Sequence, residues 1–279
     1  MNRIILLVML ILCLGCEQPQ PKPQPEPQPA LINAHHSLKQ DVKQIAVPRL
    51  AGSAANQNVG LYIESELKKL GLEVKRQPFS SGMNIIGIQR GQSDRVFIIG
   101  SHYDSVSRTP GADDNASGCA MTLLMAKYLT RRDLKHTIHF VFFDNEERGL
   151  VGSNYYAKNL RDQCDFMVNF DMVGNLRATR ADPEAIFSAL FKRYPWAKAI
   201  SFRQGAGPSD HAPFQRRGIP FVWIFTGTHG RYHKSTDTPS SLNYGGMVQI
   251  SRYALDMILN FDNHVDKALI QSLPVRHQQ

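Results

Sequence analysis

Five short polar clusters carry the residue types that hold metal ions or move protons. The first is Gly100-Ser101-His102-Tyr103-Asp104. In an extended backbone, residues two apart point to the same side, so His102 and Asp104 can converge. A metal-ligating imidazole commonly has its other nitrogen held by a carboxylate or carbonyl, which fixes the tautomer. The second cluster, Gly111-Ala112-Asp113-Asp114-Asn115-Ala116-Ser117-Gly118, sets two acids in a glycine-bounded turn ahead of a helix. The third, Phe142-Phe143-Asp144-Asn145-Glu146-Glu147, runs an apolar segment straight into adjacent glutamates. Adjacent carboxylates repel unless a cation or a shared proton relieves them. One glutamate could bind a metal while its neighbour works as a base on the metal's water. The fourth, Asn169-Phe170-Asp171-Met172-Val173-Gly174, closes another apolar segment with an acid, and the fifth, Tyr232-His233-Lys234-Ser235-Thr236-Asp237-Thr238, offers a histidine before the last helix.

Singly, each cluster also reads as ordinary structure: a capped strand end, acids complementing a helix dipole, or a solvated loop. Together they supply His102, Asp114, Glu147, Asp171 and His233, with Glu146 in reserve. Two imidazoles and three carboxylates form a nitrogen/oxygen set suited to Zn²⁺. Five ligands exceed one tetrahedral zinc but fit two that share a carboxylate. In such sites the metals lie about 3.5–4 Å apart and clamp the attacking and leaving oxygens.

In this order the motifs resemble the M28 family of zinc peptidases, of the bacterial aminopeptidase type, from about Asn84 to Asn243. The resemblance implies two zincs per chain, bridged by Asp114, with His102 and Asp171 on one and Glu147 and His233 on the other. It implies Glu146 as general base, Asp104 behind His102, and Tyr232 as a phenol polarising the scissile carbonyl. Ser209-Asp210-His211 also resembles a recurrent family segment near the site, outside the ligand list. The implied substrates are peptides, hydrolysed from the N-terminus. Glutaminyl cyclases share the scaffold and most ligands but typically carry Trp where this chain has Tyr232. Here Glu147 is followed by Arg148-Gly149-Leu150-Val151-Gly152-Ser153, a peptidase-like continuation. A non-enzymatic binding module on the same fold would have lost ligands, whereas every ligand position is filled here. Serine hydrolysis lacks a G-x-S-x-G elbow. A thiol enzyme would need Cys119 or Cys164, which sit in apolar surroundings suited to core positions or to pairing with each other in an oxidising compartment.

Such clusters need strands and helices to aim them. Val59, Tyr62, Ile63, Leu67 and Leu70 recur at helical spacing before a Gly71 stop. Strands are expected over Leu72–Phe79, Asn84–Gln89, Arg95–Gly100, Thr137–Phe143, Asp165–Phe170 and Phe221–Phe225, with a hairpin at Gly91–Asp94. Helices are expected over Ala116–Thr130 (amphipathic), Ser153–Leu160, Pro183–Tyr194 and Tyr244–Phe261. Several strands are apolar on both faces, the mark of a sheet covered by helices on two sides. The expected fold is one α/β domain with a central mixed, largely parallel β-sheet. Four of the polar clusters then fall where strands end or helices begin, where α/β sheets put their sites. His136 and His139 flank a strand start outside the ligand pattern, His35 and His36 read as surface, and Trp223 as core. Trp196 either lines the cleft or packs under a loop.

The 279 residues carry 32 Lys plus Arg against 24 Asp plus Glu, a net charge of +8, and are 42% hydrophobic. That hydrophobic fraction argues against wholesale disorder, and four cysteines exclude a disulfide-stapled miniprotein. The basic residues form no run of the kind that binds nucleic acid, and no sequence mark fixes an oligomeric state. Residues 1–15 read as a secretory signal: Ile4–Leu14 is apolar but shorter than the roughly 20 residues a spanning helix needs. Gly15-Cys16 resembles a lipoprotein box in which Cys16 takes the lipid, with Cys13 as a departure from the usual pattern. Glu17 in place of Asp points to an outer membrane rather than an inner one. In residues 16–29, six of the 16 prolines alternate with polar residues. This forms an extended tether that could reach on the order of 40 Å. The peptidase domain is expected over residues 30–279, exported and lipid-anchored.

Overall fold

The computed structural model describes residues 33–130, 132–176 and 208–264. The expected signal and tether, the helix over Pro183–Tyr194 and Trp196 lie outside the described residues. Among the described residues no helix is long and apolar enough to cross a membrane.

The elements run α1 (Ala34–Ile45), α2 (Ala54–Lys69), β1 (Glu73–Phe79), β2 (Gly82–Gln89), β3 (Val96–His102), α3 (Gly118–Leu129), β4 (Thr137–Phe143), α4 (Val151–Asn159), β5 (Cys164–Phe170), α5 (Ala212–Gln215), β6 (Phe221–Ile224) and α6 (Tyr244–His264). The six strands form one sheet in the order β1-β2-β4-β3-β5-β6. β1 and β2 are antiparallel, as are β2 and β4, whereas β4, β3, β5 and β6 are mutually parallel. The sheet is thus mixed and largely parallel, with helices on both faces. α4 and α5 cover one face, where Tyr156, Ala157 and Phe214 pack on Ile86, Ile98, Val141, Phe143 and Met167. α1, α2, α3 and α6 pack together on the other side. On β2, a Cβ at Gly87 would stand 2.8 Å from Leu67 of α2, so glycine permits that helix its close approach.

All seven residues of β3 and of β4 are buried. This explains their continuous apolar runs: each has a strand on both sides and a helix layer above and below.

The expected hairpin at Gly91–Asp94 is not formed. β4 lies between β2 and β3, and the 91–94 loop passes beneath it. There the N–H groups of Gln92 and Ser93 donate to the carbonyls of Leu134 and Lys135 at 2.9 and 3.0 Å. The loop's turn residues serve a crossover, because Ile85–Gln89 finds its second neighbour in Ile138–Phe142. The actual hairpin joins β1 to β2, with Phe79 opposite Gly82. α3 is also not amphipathic. Ten of its twelve residues are buried, since it lies between the sheet and the helices α1 and α6.

Among the described residues, Cys119 and Cys164 are unpaired. Cys119 lies beside the end of β3, its thiol donating to the His102 carbonyl at 2.9 Å. Cys164 begins β5 opposite Val96, at the start of β3. Six residues of strand, roughly 20 Å, separate those two levels of the sheet.

Candidate metal centre

Parallel strands deliver the first side chains. β3 ends on His102, β4 ends one residue before Asp144, and β5 ends one residue before Asp171, all at the same end of the sheet. His102 is 1% exposed. Its Nε2 lies 3.3 Å from Asp114 Oδ1, 3.6 Å from Asp171 Oδ1 and 4.0 Å from Glu146 Oε2, and its Nδ1 lies 3.5 Å from Asp104 Oδ1. From the loop before α6, His233 Nε2 reaches Asp114 Oδ2 at 3.0 Å and Glu147 Oε2 at 3.3 Å. Two clusters result, His102 with Glu146 and Asp171, and Asp114 with Glu147 and His233. Within each, one ligand atom per residue lies within 4.8 Å of the others. Tyr232 stacks on the His233 ring at a centroid distance of 3.7 Å and is 39% exposed.

The turns that present these groups are strained and heavily tied. Asn145, Met172 and His233 adopt left-handed backbone, with φ of 61°, 55° and 59°. Such conformations persist in non-glycine residues only where surrounding contacts fix them. After β4, Asp144 accepts from Asn56 Nδ2 at 3.1 Å, and from the N–H groups of Met83 and Asn145 at 3.1 and 2.9 Å. Asp104 accepts the N–H groups of Glu146 and Glu147, at 3.0 and 3.3 Å. The Asp113–Asp114 turn hangs on Asp237, whose carboxylate takes both of its N–H groups at 3.0–3.1 Å. Asp113 itself bonds His229 Nε2 at 2.8 Å and accepts the Gly174 N–H at 2.7 Å.

Sequence reasoning gave no role to Asp113, Asp237 or His229. The acidic pair Asp113-Asp114 and the four-residue spacing of His229 and His233 were the available signals. Ser209-Asp210-His211 also lies here. Ser209 Oγ donates to Asp171 Oδ2 at 2.7 Å, His211 stacks on Phe221 and Trp223, and Asp210 is fully buried.

The electrostatics are those of crowded buried acids. Burial, with the neighbouring charges of Asp210, Asp171 and Glu147, pushes Glu146 up to about 10 against the opposing pull of His102. Burial and the charge of Asp114 push Glu147 up to about 7. Asp114 moves the other way: hydrogen bonds from His102 and His233 outweigh its burial and hold it below the usual carboxylate range. His102 is pushed well above its ordinary value, the surrounding carboxylates overcoming its desolvation. His102 Nδ1, Glu147 Oε1 and Asp171 Oδ1 are buried without a hydrogen-bond partner. Unpaired buried polar atoms and stacked carboxylates are both relieved by bound cations, and the nitrogen/oxygen donor set suits a borderline divalent ion such as zinc.

The profile of Peptidase family M28 matches residues 84–258. Leupeptin-inactivating enzyme 1 of Streptomyces exfoliatus is 32% identical over 218 residues, covering 65% of this chain and 50% of that protein. The chain spans half or less of the length of the relatives it matches in sequence. Many solved structures share its fold, among them the following two. A zinc aminopeptidase from Bacillus subtilis superposes with a TM-score of 0.73 at 18% identity, over 80% of this chain and 94% of that one. A glutaminyl cyclase from Porphyromonas gingivalis gives 0.67 at 24%, over 81% and 97%.

Proposed function

The chain belongs to peptidase family M28, and on that footing we propose that it is a co-catalytic di-zinc metallopeptidase, an aminopeptidase releasing N-terminal residues from peptides. One observation carries the reading. The two oxygens of Asp114 face different histidines, Oδ1 toward His102 at 3.3 Å and Oδ2 toward His233 at 3.0 Å. A carboxylate so divided stands in the Asp114–Glu147–His233 cluster and could also serve a cation held by His102. His102 and Asp171 would hold one zinc and Glu147 and His233 the other, with Asp114 shared.

Bound there, zinc supplies an acidified water and an electrophile for the scissile carbonyl. The remaining work falls to side chains. Glu146 takes the water's proton and returns one to the departing amine. In the metal-free site its proton is held tightly, and added positive charge lowers that affinity toward the range a base needs. Tyr232, beside His233, donates to the carbonyl oxygen as negative charge grows there. Asp104 orients His102 from behind and fixes the backbone of both glutamates. The free amine of the peptide is held among the carboxylates.

The test is a panel of amino-acid amides and short peptides, with N-blocked controls, assayed with and without chelator. Chelator-sensitive release from free N-termini only is expected. Activity indifferent to chelation, or equal on blocked peptides, would remove the reading. A Gln-initiated peptide in the same panel separates the cyclase alternative, which yields cyclised peptide and ammonia instead of free amino acids.

We also propose that the chain is exported and lipid-anchored through Cys16, with residues 17–29 holding the domain clear of an outer membrane. The apolar run ending at Gly15-Cys16 and the proline-rich composition of residues 17–29 support this. Cys16→Ser should move the protein from the membrane to the soluble fraction. An unchanged distribution would remove the anchor.

A further inference from the structure

Arg49, between α1 and α2, is fully buried, and among the described residues its guanidinium donates to backbone carbonyls. Nε donates to Tyr103 at 2.7 Å, Nη1 to Pro110 at 2.5 Å and to Val47 at 3.3 Å, and Nη2 to Gly111 at 2.9 Å and, more distantly, to Asp114 at 3.5 Å. Its main chain is tied to the same loop: the Arg49 N–H donates to Ser105 Oγ at 3.1 Å, and the Ser105 N–H to the Arg49 carbonyl at 3.3 Å. The loop so gripped leaves β3 immediately after His102 and delivers Asp114. Arg49 therefore holds both ends of the segment that separates a terminal ligand from the shared one.

The fit around it is close. Gly111 has φ of 56°, and a Cβ there would collide with the Asp114 carbonyl and stand 3.1 Å from Arg49 Nη1. The planar fork supplies five N–H donors in fixed directions, which an ammonium cannot match. A buried charge with no carboxylate in contact is costly. Burial lowers the Arg49 pKa, and the field of nearby Asp104, Asp114 and Asp237 opposes that only in part.

We propose that Arg49 is a positioning residue for the metal centre, fixing where the shared carboxylate of Asp114 stands relative to His102 so that both cation positions fill together. The inference rests on the di-zinc reading above. No contact requires Arg49 to touch substrate; it acts through the 103–114 loop.

The test titrates metal-free full-length protein with Zn²⁺ by calorimetry, and with Co²⁺ by visible absorption, in wild type, Arg49→Lys and Ser105→Ala. Lysine keeps the charge and loses the fork, and Ser105→Ala removes only a main-chain tether. Wild type should take two ions per chain. Arg49→Lys, folded by circular dichroism, should bind the weaker ion about 10–100-fold less tightly, with an altered Co²⁺ spectrum and a lowered kcat at little-changed KM. Ser105→Ala should shift the same quantities less. A folded Arg49→Lys with wild-type stoichiometry, affinity and spectrum would overturn the proposal. So would an Arg49→Lys that stays unfolded in excess zinc, which would assign the residue to stability alone. Failure of the wild type to bind zinc would instead strike the functional reading beneath it.

Discussion

Asp104 receives the backbone N–H of Glu146 at 3.0 Å while facing His102 Nδ1 at 3.5 Å. One carboxylate, itself fully buried, thus links the end of β3 to the glutamate turn after β4. Asparagine at 104 could accept one amide but would aim its own NH₂ at the other. Asp104→Asn should lower zinc affinity or kcat/KM by about 10–100-fold, at a stability cost of about 1–3 kcal/mol. Metal analysis and steady-state kinetics check both.

Glu146→Gln removes the proposed base and keeps its shape. The variant should retain metal and fold and lose about 10²–10⁴-fold in kcat. Near-normal turnover would reassign the base.

Chelation returns the centre to a cluster of uncompensated acids. Each zinc present at a hundred times its Kd stabilises the folded state by about 2.7 kcal/mol, so removal of the two should lower Tm by on the order of 10–20 °C, reversed by added zinc. A melting curve indifferent to chelator would contradict metal binding at this site.

Away from the centre, burial holds His139 down to about 4 from its ordinary 6.5, with Nδ1 2.7 Å from the Tyr156 hydroxyl. Its folded value is depressed, so its contribution is complete above pH 6.5. Below that the unfolded chain takes up a proton the native ring refuses, and stability falls until pH reaches about 4. The loss is on the order of 3 kcal/mol. His211, also held down to about 4 by burial, acts in the same direction. His139→Gln should flatten the decline in urea midpoint between pH 7 and pH 4, and an unchanged slope would exclude the assignment.

The thiols give a simpler test. Burial pushes Cys119 up to about 11 and Cys164 up to about 12. Native protein at pH 8 should resist alkylation at both positions, denatured protein should react at both, and reductant should leave the native mass unchanged.

Much of this was legible in the residues. β4 has the bounds its β-branched and aromatic run suggests, because a strand buried on both faces leaves an uninterrupted signal. The six clustered side chains were legible because each follows a strand or turn with recognisable punctuation. α1 was not anticipated, although Leu38, Val42 and Ile45 form a buried stripe at helical spacing; the paired histidines and polar neighbours disguised it. Strand order was hidden as well. Gly91 and its neighbours signal a change of direction, but nothing local says that Thr137–Phe143 will enter between the two preceding strands. Arg49 acts through carbonyls, Asp237 through amides and His229 through the Asp113 carboxylate, contacts that only folding assembles.

The insertion of β4 bears on how the chain is made. On a ribosome, the β1–β2 hairpin can close early, but β2 and β3 then wait with adhesive edges until residues 137–143 emerge. Nascent intermediates of that length expose strand edges of the kind that template aggregation. Production of this protein should therefore respond to holdase chaperones, and to translation speed between those two segments, more than to any change at the candidate metal centre.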